Sequence, residues 1–388
     1  MSPRPQVLLF TIDAGGGHRA AARSLAAAVE ERQPPFELRV ESFQQVLLPL
    51  DVLRRATGLS LEDAYNLILR QHWNAFMVPL LRLMHAGIRV RRPAIERTLA
   101  AWRRAQPRPA AVVSVFPNFN GIIRDALARA HPGVPLVVVL TDFADFPPRF
   151  WIEPGIDRVV VASDEARRQA LALGVAPAAI RQVSGMVLHP RFYRSAEVRT
   201  REQARAELAL APGEFAVMLL FGGKGSPEME PLAAALLALE PKLRVIAVCG
   251  ENPRLHARLA PLEARSGGRL LRFGFTDRVA ELLAASDLLV TKPGPGSLAE
   301  AFHQRVPVVV TRNVHTIPQE RFNTDFVRDR GLGRVVGHWR EIPAEVARLH
   351  ADPAAREAIR QGLDALPANR AIWEVLDVIA EAAGRPGE

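Results

Sequence analysis

The chain has 388 residues, 48% of them hydrophobic, a length that fits two domains of roughly 150–200 residues better than one core. Its single cysteine, Cys249, excludes internal disulfides and cysteine-based metal sites, and no apolar run approaches the roughly 18–20 residues of a membrane span. The formal charge of +9 sits in the first half: residues 1–195 carry 25 basic and 16 acidic residues, and residues 70–108 hold nine Arg against one acid, Glu96.

Val7–Ile12 reads as a short buried strand. It ends at Asp13 and runs into three glycines with no cleavage-site pattern, so it is not a signal peptide. Asp13–Gly17 is then a turn, and His18–Arg32 is Ala-rich and helical. Trp73, Phe76, Met77, Leu80, Leu81, Met84 and Ile88 recur at helical spacing, with Pro79 expected to kink the helix, and the Arg-rich stretch 89–108 follows. An apolar ridge beside a cationic patch suits an anionic membrane surface, whereas no nucleic-acid motif accompanies the charge. Further strands are Ala111–Val115, Leu136–Leu140 and Arg158–Ala162.

The second half repeats this rhythm. Ala216–Phe221 is a strand, followed by the turn Gly222–Gly225 and a helix near Met229–Leu239. Val245–Cys249, Leu270–Phe273, Leu288–Val290 and Val308–Val310 follow as strands with helices between them. Strands alternating with helices argue for parallel sheets, and two such units in series for an α/β chain of two doubly wound domains facing a central cleft. The expected domains are 1–195 and 200–370, with a C-terminal helix and tail at 371–388.

Three glycines between strand and helix let the chain turn sharply and bring backbone N–H groups to a ligand. In Asp13-Ala-Gly-Gly-Gly-His18, the histidine lies in the first helical turn at the C-terminal edge of the sheet, where an imidazole can take a proton from an attacking hydroxyl. In Thr291-Lys-Pro-Gly-Pro-Gly-Ser297, Lys292, Gly294, Gly296 and Ser297 open a helix and suit a diphosphate. Glu300, one turn further on, suits two ribose hydroxyls. Gln319, Glu320 and Asn323 follow a strand end, where sugar hydroxyls are read. Gly222, Gly223 and Lys224 form another glycine turn, and the backbone at Gly274 and Phe275 offers room for a flat base. There is no Walker A pattern, neither turn carries Gly-x-Gly-x-x-Gly, and no metal-ligand spacing occurs. His85, His131, His303, His315 and His350 carry no assigned role.

Together these motifs resemble the monogalactosyldiacylglycerol synthase and processive diacylglycerol glycosyltransferase family. Tyr65-Asn66, Trp73, Val113–Pro117, Leu140–Asp142, Ser163, Glu165 and Gly185–Phe192 fall in the family's order, so the resemblance covers nearly the whole chain. It implies a GT-B fold, a UDP-sugar donor in the C-terminal domain, a lipid acceptor in the N-terminal domain, inversion at the anomeric carbon and no cofactor or obligatory metal. His18 becomes the candidate base, and Gly16, Gly17, Arg19, Trp73, Asn118 and Asp142 the acceptor side. Gly294, Gly296 and Ser297 lie on the diphosphate, Glu300 or Glu320 on the ribose, Gln319 on the sugar and Phe275 beside the uracil. The expected location is cytoplasmic, peripheral on the inner face of the membrane.

The sequence departs from the family at Ser114-Val-Phe116-Pro, where a histidine is usual, in the histidine-free segment Thr141–Trp151, and at Gly222, where the usual Gly-Met is absent. A GT-B transferase with a soluble acceptor and a non-catalytic nucleotide-binding homologue are the alternatives. An epimerase or hydrolase on the same fold lacks the acid–base cluster it needs.

Overall fold

A computed structural model describes residues 4–12, 16–48, 77–194, 200–239, 243–314 and 316–384, with backbone alone for 77–84. The chain divides into two compact units. One comprises Met1–Pro190, Ile317–Gln319 and Asn369–Glu388, and the other Arg191–Thr316 and Glu320–Ala368. Among the described residues no helix is long and apolar enough to cross a membrane.

The first unit holds six parallel strands: β1 (Gln6–Thr11), β2 (Glu37–Ser42), β3 (Ala111–Ser114), β4 (Leu136–Val139), β5 (Arg158–Val161) and β6 (Ile180–Gln182). Their order is β2-β1-β3-β4-β5-β6. Every residue of β3 and β4 is buried, as continuous Val-rich runs require when helices cover both faces of a parallel sheet. Strand order reverses between β1 and β3, and the crevice at their C-terminal ends is the ligand position such sheets offer.

The second unit repeats the construction with β7 (Phe215–Leu220), β8 (Leu243–Val248), β9 (Leu270–Phe273), β10 (Leu288–Thr291), β11 (Val308–Thr311) and β12 (Gly333–Val336). The order β12-β11-β10-β7-β8-β9 places its reversal between β7 and β10. Two doubly wound parallel sheets, each wrapped by helices, are the two Rossmann-like halves of a GT-B architecture.

Three strands escaped the sequence reading, and all three are sheet edges: β2, β6 and β12. β2 reads Glu-Leu-Arg-Val-Glu-Ser and has no fully buried residue, so it carries no apolar run, whereas the fourth edge, β9, keeps Leu270 and Leu271 and is legible. The first helix begins at Gly16, two residues earlier than the sequence implied. The helix Ala371–Ala383, which the sequence left without a host, belongs to the first unit. Asp377 accepts from Arg32 at 2.9 Å, and Glu374 accepts from the Ser184 amide and hydroxyl at 2.7 and 2.9 Å. The division at Pro190–Arg191 precedes the expected boundary near 195–200.

The helix Met77–Arg104 shows where much of the positive charge goes. Arg92 is held by Glu96 at 2.7 Å and Asp125 at 2.5 Å, with Glu153 at 3.6 Å. Arg103 is buried and donates to the Pro107 carbonyl. Arg89, Arg91 and Arg97 remain exposed on this helix, around Val90, which is 82% exposed. Of the expected apolar ridge, only Ile88 has its side chain among the described residues, and it is half-buried.

Candidate functional site

In the first unit, β1 feeds the helix Gly16–Arg32, and His18 lies in that helix's first turn. The residue after β3 is Val115, and the second residue after β4 is Thr141. His18 Nδ1 lies 3.0 Å from the Val115 carbonyl oxygen and 3.0 Å from Thr141 Oγ1. A carbonyl oxygen only accepts, so Nδ1 carries the proton and the Nε2 lone pair is left for chemistry. Burial pushes the imidazole down to about pKa 4, against the raising effect of the Val115 bond. His18 is therefore neutral at pH 7.

Trp151 packs edge-on to the His18 ring, with centroids 5.6 Å apart. The indole Nε1 donates to Asp142 Oδ2 at 2.8 Å, so this carboxylate, expected on the acceptor side, holds the wall of the His18 site. The loop behind it is tied down by Asp145, which is fully buried and accepts from the Arg149 and Trp151 amides at 2.9 and 2.7 Å. Burial pushes Asp145 up to about pKa 6 while those amides pull it down. Asn120 donates to the Trp151 carbonyl, and the Asn118 amide donates to the Phe150 carbonyl at 2.7 Å. Asn118 is half-buried with φ of 74°.

Gly16 and Gly17 are exposed and face open space, and Arg19 is half-buried nearby in sequence. Trp73 lies outside the described residues. Phe116, where the resembled family has histidine, is wholly buried against Phe43 and Phe119 at 5.0 and 6.3 Å; that departure falls in the core.

In the second unit the two glycine motifs meet at the sheet's own reversal. β7 runs into Gly222–Gly225, and β10 into Lys292–Gly296. Gly222 (φ +73°) and Gly225 (φ +60°) take the left-handed conformation, and a Cβ on Gly222 would lie 3.2 Å from Lys292 Cε. The turn is braced from the end of β8: the Glu251 amide donates to the Gly223 carbonyl at 2.7 Å, and Gly250 approaches that carbonyl so closely that a Cβ would lie 2.2 Å away. Lys224 is exposed, and its carbonyl accepts from Asn252.

The helix Pro295–His303 starts with a residue that has no N–H, leaving the Gly296 and Ser297 amides without intrahelical acceptors. Gly296 is exposed and Ser297 half-buried. The Gly294 amide is committed within the loop, donating to the Lys292 carbonyl at 2.8 Å. Lys292 is half exposed and lies 3.7 Å from Glu320, a loose pair that leaves the ammonium accessible. Glu300 is half-buried, and burial pushes its carboxyl up to about pKa 7 while Arg191 pulls it down. The same Arg191 bonds Asp277 Oδ1 at 2.9 Å and its carbonyl at 2.8 Å. This joins the segment before the second sheet to the loop holding Gly274 and Phe275, a residue 64% exposed.

Gln319 and Asn323 lie on the helix Pro318–Asp329 and are both buried. Asn323 Nδ2 donates to the Pro293 carbonyl at 2.8 Å, so it braces the Lys-Pro-Gly loop from behind. Gln319 Oε1 and Asn323 Oδ1 are buried acceptors with no hydrogen bond among the described residues. Among those residues no group of three His, Cys, Asp or Glu side chains gathers that could hold a metal ion.

Sequence reasoning missed Thr141, Trp151, Arg191 and Gly250 as parts of these arrangements. Thr141 and Trp151 stood in a recognised segment, but nothing in a sequence says that β4 delivers them to a histidine more than 120 residues earlier. The sequence assigns no role to His85 either.

The profile of the monogalactosyldiacylglycerol (MGDG) synthase family matches residues 99–187. A probable monogalactosyldiacylglycerol synthase 2 of Oryza sativa subsp. indica is 30% identical over 363 residues, covering 88% of this chain and 73% of that protein. The processive diacylglycerol beta-glucosyltransferase of Bacillus subtilis (strain 168) is 29% identical over 245 residues, 63% of this chain. The matched stretch spans 62% of that Bacillus protein's length. Among solved structures, MurG of Acinetobacter baumannii superposes with a TM-score of 0.62 at 15% identity, over 97% of this chain and 99% of its own. The calicheamicin glycosyltransferase CalG4 gives 0.64 at 16%, over 99% of both chains. At such identity these two establish the fold, which is GT-B, and the plant relative establishes the kinship: the chain belongs to the monogalactosyldiacylglycerol synthase family.

Proposed function

We propose that the chain is an inverting glycosyltransferase that moves a hexose from a UDP-sugar to a diacylglycerol-type lipid at a membrane surface. The observation that carries this reading is the fixed tautomer of His18: Nδ1–H is spent on Val115, and Nε2 keeps a lone pair that burial holds unprotonated. An alcohol does not ionise near neutral pH, so its proton must leave as the new bond forms. The acceptor oxygen attacks the anomeric carbon, its proton passes to Nε2, and the bond from that carbon to the diphosphate oxygen breaks. UDP departs with the electron pair, and a single displacement inverts the anomeric centre.

The leaving diphosphate gains negative charge, so fixed positive charge is needed where it forms. The Gly296 and Ser297 amides, Lys292 and the turn Gly222, Gly223 and Lys224 supply it in this reading, with Glu300 or Glu320 on the ribose, Gln319 toward the sugar and Phe275 against the uracil. Because these groups serve the diphosphate without a cation, turnover is expected to survive chelation by EDTA. Arg89, Arg91 and Arg97 around Val90 suit anionic headgroups, and a UDP-sugar donor puts the work on the cytoplasmic face.

A second reading, transfer to a soluble acceptor, is favoured by one observation. Thr141–Trp151 contains no histidine and Phe116 is packed in the core, so two imidazoles usual in the resembled family are missing. The deciding experiment supplies UDP-galactose, UDP-glucose or UDP-N-acetylglucosamine with diacylglycerol in anionic vesicles and measures released UDP and glycolipid. Glycolipid from wild type but not from His18→Ala supports the lipid reading and names the sugar. Tight UDP binding with no glycolipid from any donor moves the assignment to a soluble acceptor or a binding-only protein.

A further inference from the structure

A second histidine stands at the same edge of the first sheet, brought there by a different element. His85 lies on the helix Met77–Arg104, and its Nε2 is 2.5 Å from Asn118 Oδ1. Its ring packs at 5.8 Å from Phe150, the neighbour of the tryptophan that walls His18. Trp151 thus packs against one imidazole and its chain neighbour Phe150 against the other. Asn118 follows β3 at the reversal of strand order, three residues after the carbonyl that fixes His18. Its φ of 74° is a left-handed conformation that asparagine tolerates better than most residues yet still costs energy, and such strain collects at ligand-binding positions. Both side chains are half-buried, accessible to a bound molecule rather than sealed in the core.

The bond decides what Asn118 can offer. An amide oxygen only accepts, so His85 Nε2–H donates and Oδ1 is occupied. With Oδ1 so occupied, the side-chain nitrogen of Asn118 keeps two donor hydrogens that make no hydrogen bond among the described residues. We propose that His85 is a positioning residue that orients Asn118 to hold an oxygen of the acceptor, an ester carbonyl or a hydroxyl, while His18 takes the proton of the attacking hydroxyl. The inference rests on the transferase reading above and adds a specificity-determining pair to it.

The test uses steady-state kinetics of the full chain with a water-dispersible diacylglycerol, varying acceptor and donor separately, on His85→Ala, His85→Gln, Asn118→Gly and the double variant His85→Ala/Asn118→Gly. Asn118→Gly removes the amide and relieves the left-handed backbone, so it is expected to fold with an unchanged or higher Tm. Losing one neutral hydrogen bond to the acceptor is expected to raise its KM about fivefold to tenfold, with the donor KM held. His85→Gln, which can still donate to Oδ1, is expected to recover most of the effect, and the double variant to be no worse than Asn118→Gly. A purely structural role would instead lower Tm and raise both KM values together. Independent losses in the double variant, or an acceptor KM unmoved by Asn118→Gly, would overturn the pair. If the wild type makes no glycolipid, the transferase reading fails first. The pair is then read by titrating dioctanoylglycerol into protein with labelled histidine: a shift of the His85 resonances absent in Asn118→Gly keeps it, and unmoved resonances end it.

Discussion

His18 carries the sharpest pH signature. Its folded pKa of about 4 lies below the ordinary 6.5, so the free base is present at any pH above about 4. The acid limb of kcat/KM is expected near pH 4 to 5; a limb near 6.5 would mean that the imidazole is solvated in the working enzyme. The sign for stability follows from the same shift. Between about pH 6.5 and 4 the unfolded chain binds a proton that the folded chain refuses, so this group's contribution to stability is lost as pH falls through that window. Glu300 behaves oppositely, with a carboxyl raised to about 7. If its carboxylate accepts ribose hydroxyls, UDP affinity should rise with pH up to about 7 and then level off. Calorimetric titration of wild type against Glu300→Gln at pH 5.5, 7 and 8.5 isolates that contribution; parallel profiles would remove Glu300 from the ribose.

At the scale of elements, both candidate sites are built from the loops that leave the two strands flanking a reversal of strand order. Periodicity and apolar runs disclosed the central strands because those are buried on both faces, and glycine clusters disclosed the turns. The edge strands β2, β6 and β12 stayed hidden because half-exposed residues carry little pattern. Gly250 was equally silent: only the register of β7 beside β8 brings it under the Gly223 carbonyl. Gly250→Ala combines a positive φ with a backbone clash and is expected to destabilise by about 2–4 kcal/mol and to weaken UDP binding by about tenfold, because the turn must shift. Gly268→Ala, at φ +80° with nothing closer than 3.7 Å to the added carbon, carries only the backbone strain and should leave UDP binding alone. Thermal melts and UDP titration compare the two; equal behaviour would mean that the brace is not needed.

For the whole molecule, the charge excess separates into a part enclosed by carboxylates and a part exposed to solvent. Arg92 is enclosed by Glu96, Asp125 and Glu153, while Arg89, Arg91 and Arg97 face solvent. Replacing the exposed three by Gln should cost about 1 kcal/mol of vesicle affinity each, roughly two orders of magnitude together, with a weaker dependence on salt. Arg92→Gln should lower Tm and leave vesicle partitioning nearly unchanged. Cosedimentation with phosphatidylglycerol vesicles at two salt concentrations reads both effects, and equal losses from the two kinds of variant would refute the division.

By itself the sequence determined the fold class, the central strands, the two glycine turns and the place of His18 at a helix start, because these rest on local pattern: periodicity, backbone freedom at glycine and residue type at a helix start. Tertiary structure alone decided which nitrogen of His18 is free, since Val115 and Thr141 arrive from distant strands. It also turned Asp142 and Asn323 to bracing roles and delivered His85 to Asn118. Those outcomes depend on sheet order and register, which set which loop ends become neighbours and which no stretch of a single chain encodes locally.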